Sequence, residues 1–313
     1  MKKNSRIYVA GHMGFIGSAV LAALKNRGYG NLIHKTHKEL DLINQGKVNA
    51  FFRCTRPEYV FLLAARVGGI YANSAYPAEF IYQNLEIQSN VIHAAHIYGV
   101  KKLIFPGSAC MYPKTCPQPM KEEYLLSGPM EPTNEPFAIA KIAGIKMCQA
   151  YNRQYKTKYI CCVPAAVYGP GDHSGLSGHV VSSLIARIHN AKVSGQKEAV
   201  VWGTGKPKRE FIYIDDAADA LIFLMQNHKE IGIVNIGAGE EISIKGLAFL
   251  IKSIAGFKGS LAFDTTKPDG NARRLLDLTK INAMGWRPKV SLKAGLSQAY
   301  NWFRQDKGNR VYI

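Results

Sequence analysis

Long hydrophobic runs are missing from this chain: no stretch approaches the roughly eighteen apolar residues that a membrane-crossing helix needs. The apolar segment near the start, Ile7–Ala10, is too short for a signal peptide and runs straight into a glycine loop. Cysteine is sparse and unpatterned. The six cysteines, at positions 54, 110, 116, 148, 161 and 162, show neither the spacing of a disulfide framework nor that of a metal site. Cys161 and Cys162 are adjacent in an apolar run, so they point to opposite faces of an expected strand. Reduced thiols and a cytoplasmic location are the expectation. Internal repeats and low-complexity tracts are also missing, which excludes solenoids and disordered arrays.

Negative charge is the other scarcity. Asp and Glu number 22 against 40 Lys and Arg, a formal charge of +18. Such an excess raises the question of nucleic acid. The basic residues are spread along the chain, however, with no basic tail and no recognisable nucleic-acid module. Binding sites for anionic ligands account for the excess better, and neither nucleic acid nor membrane is expected as a partner. With 47% hydrophobic and 20% charged residues, 313 residues suffice for one large domain or two smaller ones.

What is present begins with a strand at Arg6–Ala10, a glycine loop Gly11-His12-Met13-Gly14-Phe15-Ile16-Gly17, and a helical pattern through Val20, Leu21 and Leu24. Strand, glycine-rich turn and helix is the setting of a dinucleotide fingerprint. The glycines permit a tight turn, and the helix N-terminus offers N–H groups and partial positive charge to a pyrophosphate. Asn31–Lys35 reads as a second strand. An NAD enzyme would place a carboxylate at its end, whereas His34-Lys35-Thr36-His37 stands here and Glu39 comes late. A cationic strand end at Lys35 suits the 2′-phosphate of NADP. Tyr59–Leu63 is a third strand, and small residues at Ala64 and Ala65 would let its end approach a cofactor closely.

A long helix at Pro77–Tyr98 and a strand at Lys102–Phe105 follow, the latter delivering Ser108 to the carboxyl edge of a sheet. Phe137–Tyr155 reads as a helix on which Phe137 and Lys141 share a face. Tyr159–Val163 is a strand leading to Pro164–Pro170, and Gly171–Gly178 is a glycine-containing loop. His179–Lys192 is a helix carrying Arg187. Trp202–Gly205 is a turn, and Lys208–Asp216 is a strand running into a helix that Asp215 or Asp216 would cap. Ile233–Ile236 is a late strand and Lys267–Gly270 a turn, while the rest shows weak periodicity. The alternation predicts an α/β fold: a Rossmann-type, doubly wound parallel sheet with a smaller, mostly C-terminal domain. The first domain is expected over residues 1–165 with returns around 210–237, and the second over 166–313.

Taken together, Gly11–Gly17, Val67–Asn73, Ser108–Pro113, Glu131–Gly144, His179-Val180, Val201–Asp216 and Lys267–Gly270 resemble the GDP-L-fucose synthases, a group of extended short-chain dehydrogenases. The resemblance implies NADPH, a GDP-4-keto-6-deoxy-sugar substrate, epimerisation at C3 and C5, reduction at C4, and a homodimer built on Pro77–Tyr98 and Phe137–Tyr155. It implies a thiol base at Cys110 and an imidazole acid at His179, though a Cys or His alone is far more often a packing or capping residue. Ser108 would hydrogen-bond the substrate oxygen, and Lys141 would hold the nicotinamide ribose. The cofactor would further touch Gly11, Gly14, Phe15, Ile16, Gly17, Lys35, Asp41, Leu42, Leu63, Ala64, Ala65, Pro164 and Val167. The GDP-sugar would touch Asn134, Arg187, Trp202, Arg209 and Asp269, the arginines suiting a pyrophosphate. No metal is implied.

The resemblance also implies a tyrosine where this chain has Phe137. Phe keeps the ring and deletes the acidic oxygen, and a positioned general acid is worth about 10²–10⁴ in rate. The intact surroundings, Lys141 included, point to an isolated change in a fucose-synthase-like enzyme. Two alternatives stay open: a C4 reductase of a related GDP-4-keto hexose or heptose that does not epimerise, and a non-catalytic binder of NADP or a GDP-sugar. Substrate choice is expected to be set in Gly171–Gly178.

Overall fold

In the computed structural model, residues 1–172, 179–228, 232–267 and 269–306 are described. The first strand, β1 (Ile7–Ala10), is buried along its whole length and feeds α1 (Phe15–Asn26), whose buried stripe is Gly17, Val20, Leu21 and Leu24. The chain continues through β2 (Leu32–Ile33), α2 (Gln45–Thr55), β3 (Tyr59–Leu62), α3 (Ile70–Ala75), α4 (Pro77–Ile97) and β4 (Lys102–Pro106). After three short 3₁₀ turns come α5 (Glu135–Tyr155), β5 (Tyr159–Pro164), β6 (Ala166–Tyr168), α6 (Val180–Val193), β7 (Glu198–Trp202) and β8 (Lys208–Tyr213). Then follow α7 (Ile214–Asn227), β9 (Ile233–Ile236), β10 (Glu241–Ser243), α8 (Ile244–Ala255), β11 (Ser260–Asp264), β12 (Arg273–Arg274), α9 (Thr279–Ala283) and α10 (Leu292–Asp306).

Six strands form one parallel sheet in the order β2-β1-β3-β4-β5-β9. Neighbouring strands of such a sheet are joined by helices on its faces, so its strands read as continuous hydrophobic runs. This is the expected Rossmann-type arrangement, with the glycine loop at the carboxyl end of β1. β8 pairs with β6 and β12 in parallel and with β10 antiparallel, and β11 lies parallel to β7. The apolar interior has two parts: one lines the main sheet, and the other gathers Tyr168, Leu184, Ile188, Phe211, Leu247, Ile251, Leu296 and Phe303.

Three local expectations change. β2 is two residues long rather than five, so His34 and Lys35 lie beyond it. Neither Asp215 nor Asp216 caps α7: Tyr213 occupies that position without a side-chain bond. Asp216 instead accepts the amides of Lys289 and Val290, at 3.0 and 2.9 Å, and so fastens the segment before α10. The C-terminal third, weakly periodic in sequence, contains α8 and α10, both buried along one side.

A buried polar knot ties the excursion after β4 to the C-terminal segment. Asn235, fully buried, accepts the Tyr112 hydroxyl at 2.6 Å, donates to the carbonyls of Met120 and Asp277, and gives its own amide to Glu122. Met120 and Leu276 form a parallel bridge beside it. The Asn235 side chain is thus partnered at both its oxygen and its nitrogen, as burial requires. The knot draws β12 under the turn that follows β4.

Candidate active site

The glycine loop is fitted by contact rather than by flexibility alone. Gly11 has φ +82°, a region closed to most side chains, and a Cβ there would lie 2.6 Å from the Ala64 amide nitrogen. A Cβ on Gly17 would collide with the Gly11 carbonyl. Gly14 caps α1 without contributing a side chain, so the start of the helix stays open to an anion. Leu63 continues β3 by donating its backbone N–H to the Ala10 carbonyl at 3.0 Å, which brings Leu63, Ala64 and Ala65 under the loop. Phe15 and Ile16 lean toward the second core, and Phe15 lies beside Gly171.

The segment after β2, expected to face the cofactor's 2′-phosphate, is already paired within itself. Lys35 forms an ion pair with Glu39 at 3.0 Å, and Glu39 also accepts the Thr36 amide and hydroxyl at 2.8 Å each. These bonds pull the Glu39 carboxyl down to about 2. His12 and His34 lie with ring centroids 4.5 Å apart. Asp41 turns back to the Ile43 amide at 3.1 Å, and Leu42 is buried, its carbonyl held by Asn90 at 3.0 Å. Pro164 closes β5 at its carboxyl end, and Val167, on β6, pairs with Ile212 of β8.

β4 ends at Pro106 and hands the chain to a 3₁₀ turn, Ala109–Met111, capped by the Ser108 hydroxyl on the Cys110 amide at 3.4 Å. Burial pushes the Cys110 thiol up. The Ser108 hydroxyl and the positive charges of Arg274 and Lys141 pull it the other way. Three expected site residues, Ser108, Cys110 and Lys141, therefore share one neighbourhood. The thiol is not, however, the low-pKa group that a cationic setting alone would give.

Lys141 reaches this neighbourhood from α5. It is 5% exposed, and its ammonium lies 3.9 Å from the centre of the Phe105 ring. Burial lowers it to about 8. Phe137, one turn earlier on the same helix, sets its ring edge-on to Phe80 at 6.4 Å. Asn134 precedes α5 but forms no cap, and its Oδ1 is buried with no partner.

Arg274 is not singled out by its sequence context. β12 sets it directly beside Arg209 on β8, and its guanidinium donates to the carbonyls of Ala109 at 2.5 Å and Tyr112 at 3.4 Å. Burial first, and then the neighbouring charge of Arg274, lower Arg209 to about 10, against the opposing pull of Asp269. Two half-buried guanidinium groups side by side make a setting suited to an anion. Asp269 is already bound: its carboxylate accepts the Thr204 amide and hydroxyl, each at 2.7 Å, and closes the turn after Trp202. Arg187 lies over the half-exposed Trp202 ring, 4.1 Å from its centre, so Trp202 is not core filling.

His179 caps α6 by position, and its Nδ1 lies 2.8 Å from Asp172 Oδ1. That hydrogen bond raises the imidazole above its usual value despite the opposing effect of burial. Asp172 is a second residue that the sequence does not single out, although it lies seven residues from His179 within the loop assigned to substrate choice. Residues 173–178 of that loop, and Pro268 in the turn that contains Asp269, lie outside the described residues.

The model of the NAD dependent epimerase/dehydratase family matches residues 7–237. GDP-L-fucose synthase 1 of Arabidopsis thaliana is 52% identical over 309 residues, 98% of this chain and 96% of that protein. Among solved structures, a GDP-6-OMe-4-keto-L-xylo-heptose reductase from C. jejuni superposes with a TM-score of 0.92 at 40% identity, covering 98% of this chain and 99% of that one. A GDP-L-fucose synthetase from Naegleria fowleri bound to NADP does so at 0.92 and 28% identity, covering 99% and 95%. With a glycine cradle at the end of β1, a Ser–Cys–Lys neighbourhood at the end of β4 and these full-length likenesses, the chain belongs to the NAD dependent epimerase/dehydratase family, among the relatives of the GDP-L-fucose synthases.

Proposed function

We propose that this chain binds NADPH and a GDP-4-keto-6-deoxy-sugar, epimerises the sugar at C3 and C5, and reduces its C4 ketone, with reduction slowed by Phe137. The observation that carries this reading is the meeting of Ser108, Cys110, Lys141 and Arg274 at the carboxyl end of β4. The cofactor fits the residues present: the glycines leave a cradle that a Cβ would fill, and α1 begins without a side-chain cap. Gly11, Gly14 and Gly17 would hold its pyrophosphate, Lys141 its nicotinamide ribose, and Lys35 its 2′-phosphate. When bound, NADPH supplies the hydride for C4.

The chain's own groups supply the remainder. Carbons beside a ketone release a proton because the resulting charge spreads onto the ketone oxygen. The Cys110 thiolate would take that proton, and its formation against burial draws on Ser108, Arg274 and Lys141. His179, kept protonated by Asp172, would return a proton to the opposite face of the carbon. Ser108 would hydrogen-bond the C4 oxygen. With no phenol at position 137, the proton that this oxygen gains on reduction comes from Ser108 or water. Arg209 and Arg274 would hold the pyrophosphate of the GDP-sugar, with Arg187 and Trp202 on its nucleotide side and Asp269 fixing the turn beneath them.

Incubation with GDP-4-keto-6-deoxy-mannose in deuterated water tests this. The expected outcome is deuterium at C3 and C5, together with slow NADPH oxidation. Phe137→Tyr should speed reduction at least about tenfold, below the usual span for a general acid. No gain on that change would overturn the isolated-deletion reading. The second reading, a heptose or hexose C4 reductase, draws on the likeness to the C. jejuni heptose reductase. It requires reduction with no exchange at C3 or C5. A homodimer is part of the proposal. α4 and α5 pack together and present His96 stacked on Tyr155 at 4.0 Å, with Tyr82 and Ile97 exposed. Sedimentation at twice the monomer mass would agree with it.

A further inference from the structure

Arg274 is gripped from two sides. On one side its Nη1 donates to the carbonyls of Ala109, at 2.5 Å, and Tyr112, at 3.4 Å, which flank Cys110 and Met111. On the other, its Nε and Nη2 donate to the side-chain oxygen of Asn271, at 3.2 and 3.0 Å. Four of the five N–H groups of a guanidinium are thereby directed, and the plane of the group is fixed.

The Asn271 amide has one workable orientation. With its oxygen on Arg274, its Nδ2 donates to Glu131 Oε2 at 3.3 Å. Reversed, its N–H groups would face the guanidinium and its oxygen the carboxylate. Glu131 is itself held: it is 8% exposed, and the same Oε2 pairs with Lys114 at 3.3 Å. Among the described residues no ion pair joins Glu131 to Arg274, so the neutral amide is the connector. The contacts draw together the turn after β4, the Glu131 segment that leads into α5, and the residues before β12.

We infer that Asn271 is a positioning residue for proton abstraction: oriented by Glu131, it holds the Arg274 guanidinium on the Cys110 turn without neutralising it. This rests on the reading of Cys110 as the base. The choice of an amide follows from the charge. A carboxylate at 271 would grip the same two nitrogens but offset the positive charge that favours a thiolate. An amide gives the grip and leaves the charge whole. Asn271 acts through Arg274 alone, since its hydrogen bonds reach only Arg274 and Glu131.

The test is alkylation by iodoacetamide from about pH 7 to 10, resolved by peptide mass spectrometry, in the parent, Asn271→Ala, Asn271→Asp, Arg274→Gln and the double variant Asn271→Ala/Arg274→Gln. Asn271 is half-buried beside a turn, so its truncation leaves the core intact. At about pH 8 either change at Asn271 should slow Cys110 about two- to fivefold and move its alkylation midpoint to higher pH. The double variant should be no slower than Arg274→Gln, because Asn271 has no effect without its partner. Exposed Cys54 should react as in the parent, and buried Cys148, Cys161 and Cys162 should stay protected. The inference is overturned if Asn271→Ala leaves the Cys110 profile unchanged, if Asn271→Asp reacts as fast as the parent, or if the two losses add in the double variant. It is equally overturned if the buried thiols become reactive, which would make Asn271 a plain structural prop. Deuterium exchange into GDP-4-keto-6-deoxy-mannose, followed in parallel, should slow with the alkylation. Slowed alkylation with unchanged exchange would uphold the placement of Arg274 and remove Cys110 from the role of base.

Discussion

Lys141 and His179 are both cationic groups assigned to the chemistry, and the protein treats them in opposite ways. Lys141 is buried against an aromatic face, with no ion pair among the described residues, and its pKa falls to about 8. His179 is half-exposed, hydrogen-bonded to the buried carboxylate of Asp172, and its pKa rises. Desolvation dominates the first group and a specific partner dominates the second. The outcome is convergent: both groups are drawn toward neutral pH, where a proton can be held and released.

The comparison can be broken most sharply at Lys141. Lys141→Met keeps the length and removes the charge, and NADPH oxidation should fall by at least about 10²-fold. The same change has a stability signature. In the parent chain the unfolded state holds this proton up to about pH 10.5 while the folded state releases it near 8, so stability rises with pH between those values. Between pH 7 and about 10.5, the urea midpoint of the parent should gain on that of Lys141→Met as pH rises, the difference isolating this group from the buried thiols that titrate in the same range. A slope unchanged by the substitution would mean that Lys141 is not the titrating group.

Asp172→Asn should have the next largest effect. Without the carboxylate, burial alone acts on His179 and its pKa drops. Deuterium exchange at neutral pH should slow about three- to tenfold, and its alkaline limb should move to lower pH. The pair's contribution to stability has the opposite sign to that of Lys141. It is fully present below the unfolded imidazole value of about 6.5 and is lost as pH rises through the elevated folded value. A pH profile identical to the parent's would separate Asp172 from the proton donor.

The smallest effect is expected at Arg274→Gln. It removes one of the charges that oppose burial at Cys110, so the thiol should rise further and alkylation by iodoacetamide at about pH 8 should slow about two- to fivefold. Equal alkylation rates would show that the guanidinium serves only the carbonyls of Ala109 and Tyr112.

Legibility in the sequence follows chain distance. The glycine loop is readable because β1, Gly11, Gly14, Gly17 and α1 are consecutive, and their mutual contacts arise from one turn. The shared face of Phe137 and Lys141 is readable for the same reason, helical periodicity. Arg274 is not, because its place depends on pairing with β8 and on the Met120–Leu276 bridge, contacts between segments far apart in the chain. Asp215 and Asp216 resemble a cap in local pattern, but Asp216 is committed to the amides of Lys289 and Val290. α8 is hard to see although its buried Leu247, Ala248, Ile251 and Ala255 follow helical spacing, since apolar residues on its other face blur the stripe.

By itself the sequence determined the parallel αβ succession, the cofactor cradle and the residue types gathered at the end of β4, since each of these is written within one or two consecutive elements. Only the tertiary structure decided the protonation bias of those residues. Burial raises the Cys110 thiol and lowers Lys141, and Asp172 raises His179. These are properties of surroundings, built by strands and turns that meet only after the chain has closed on itself.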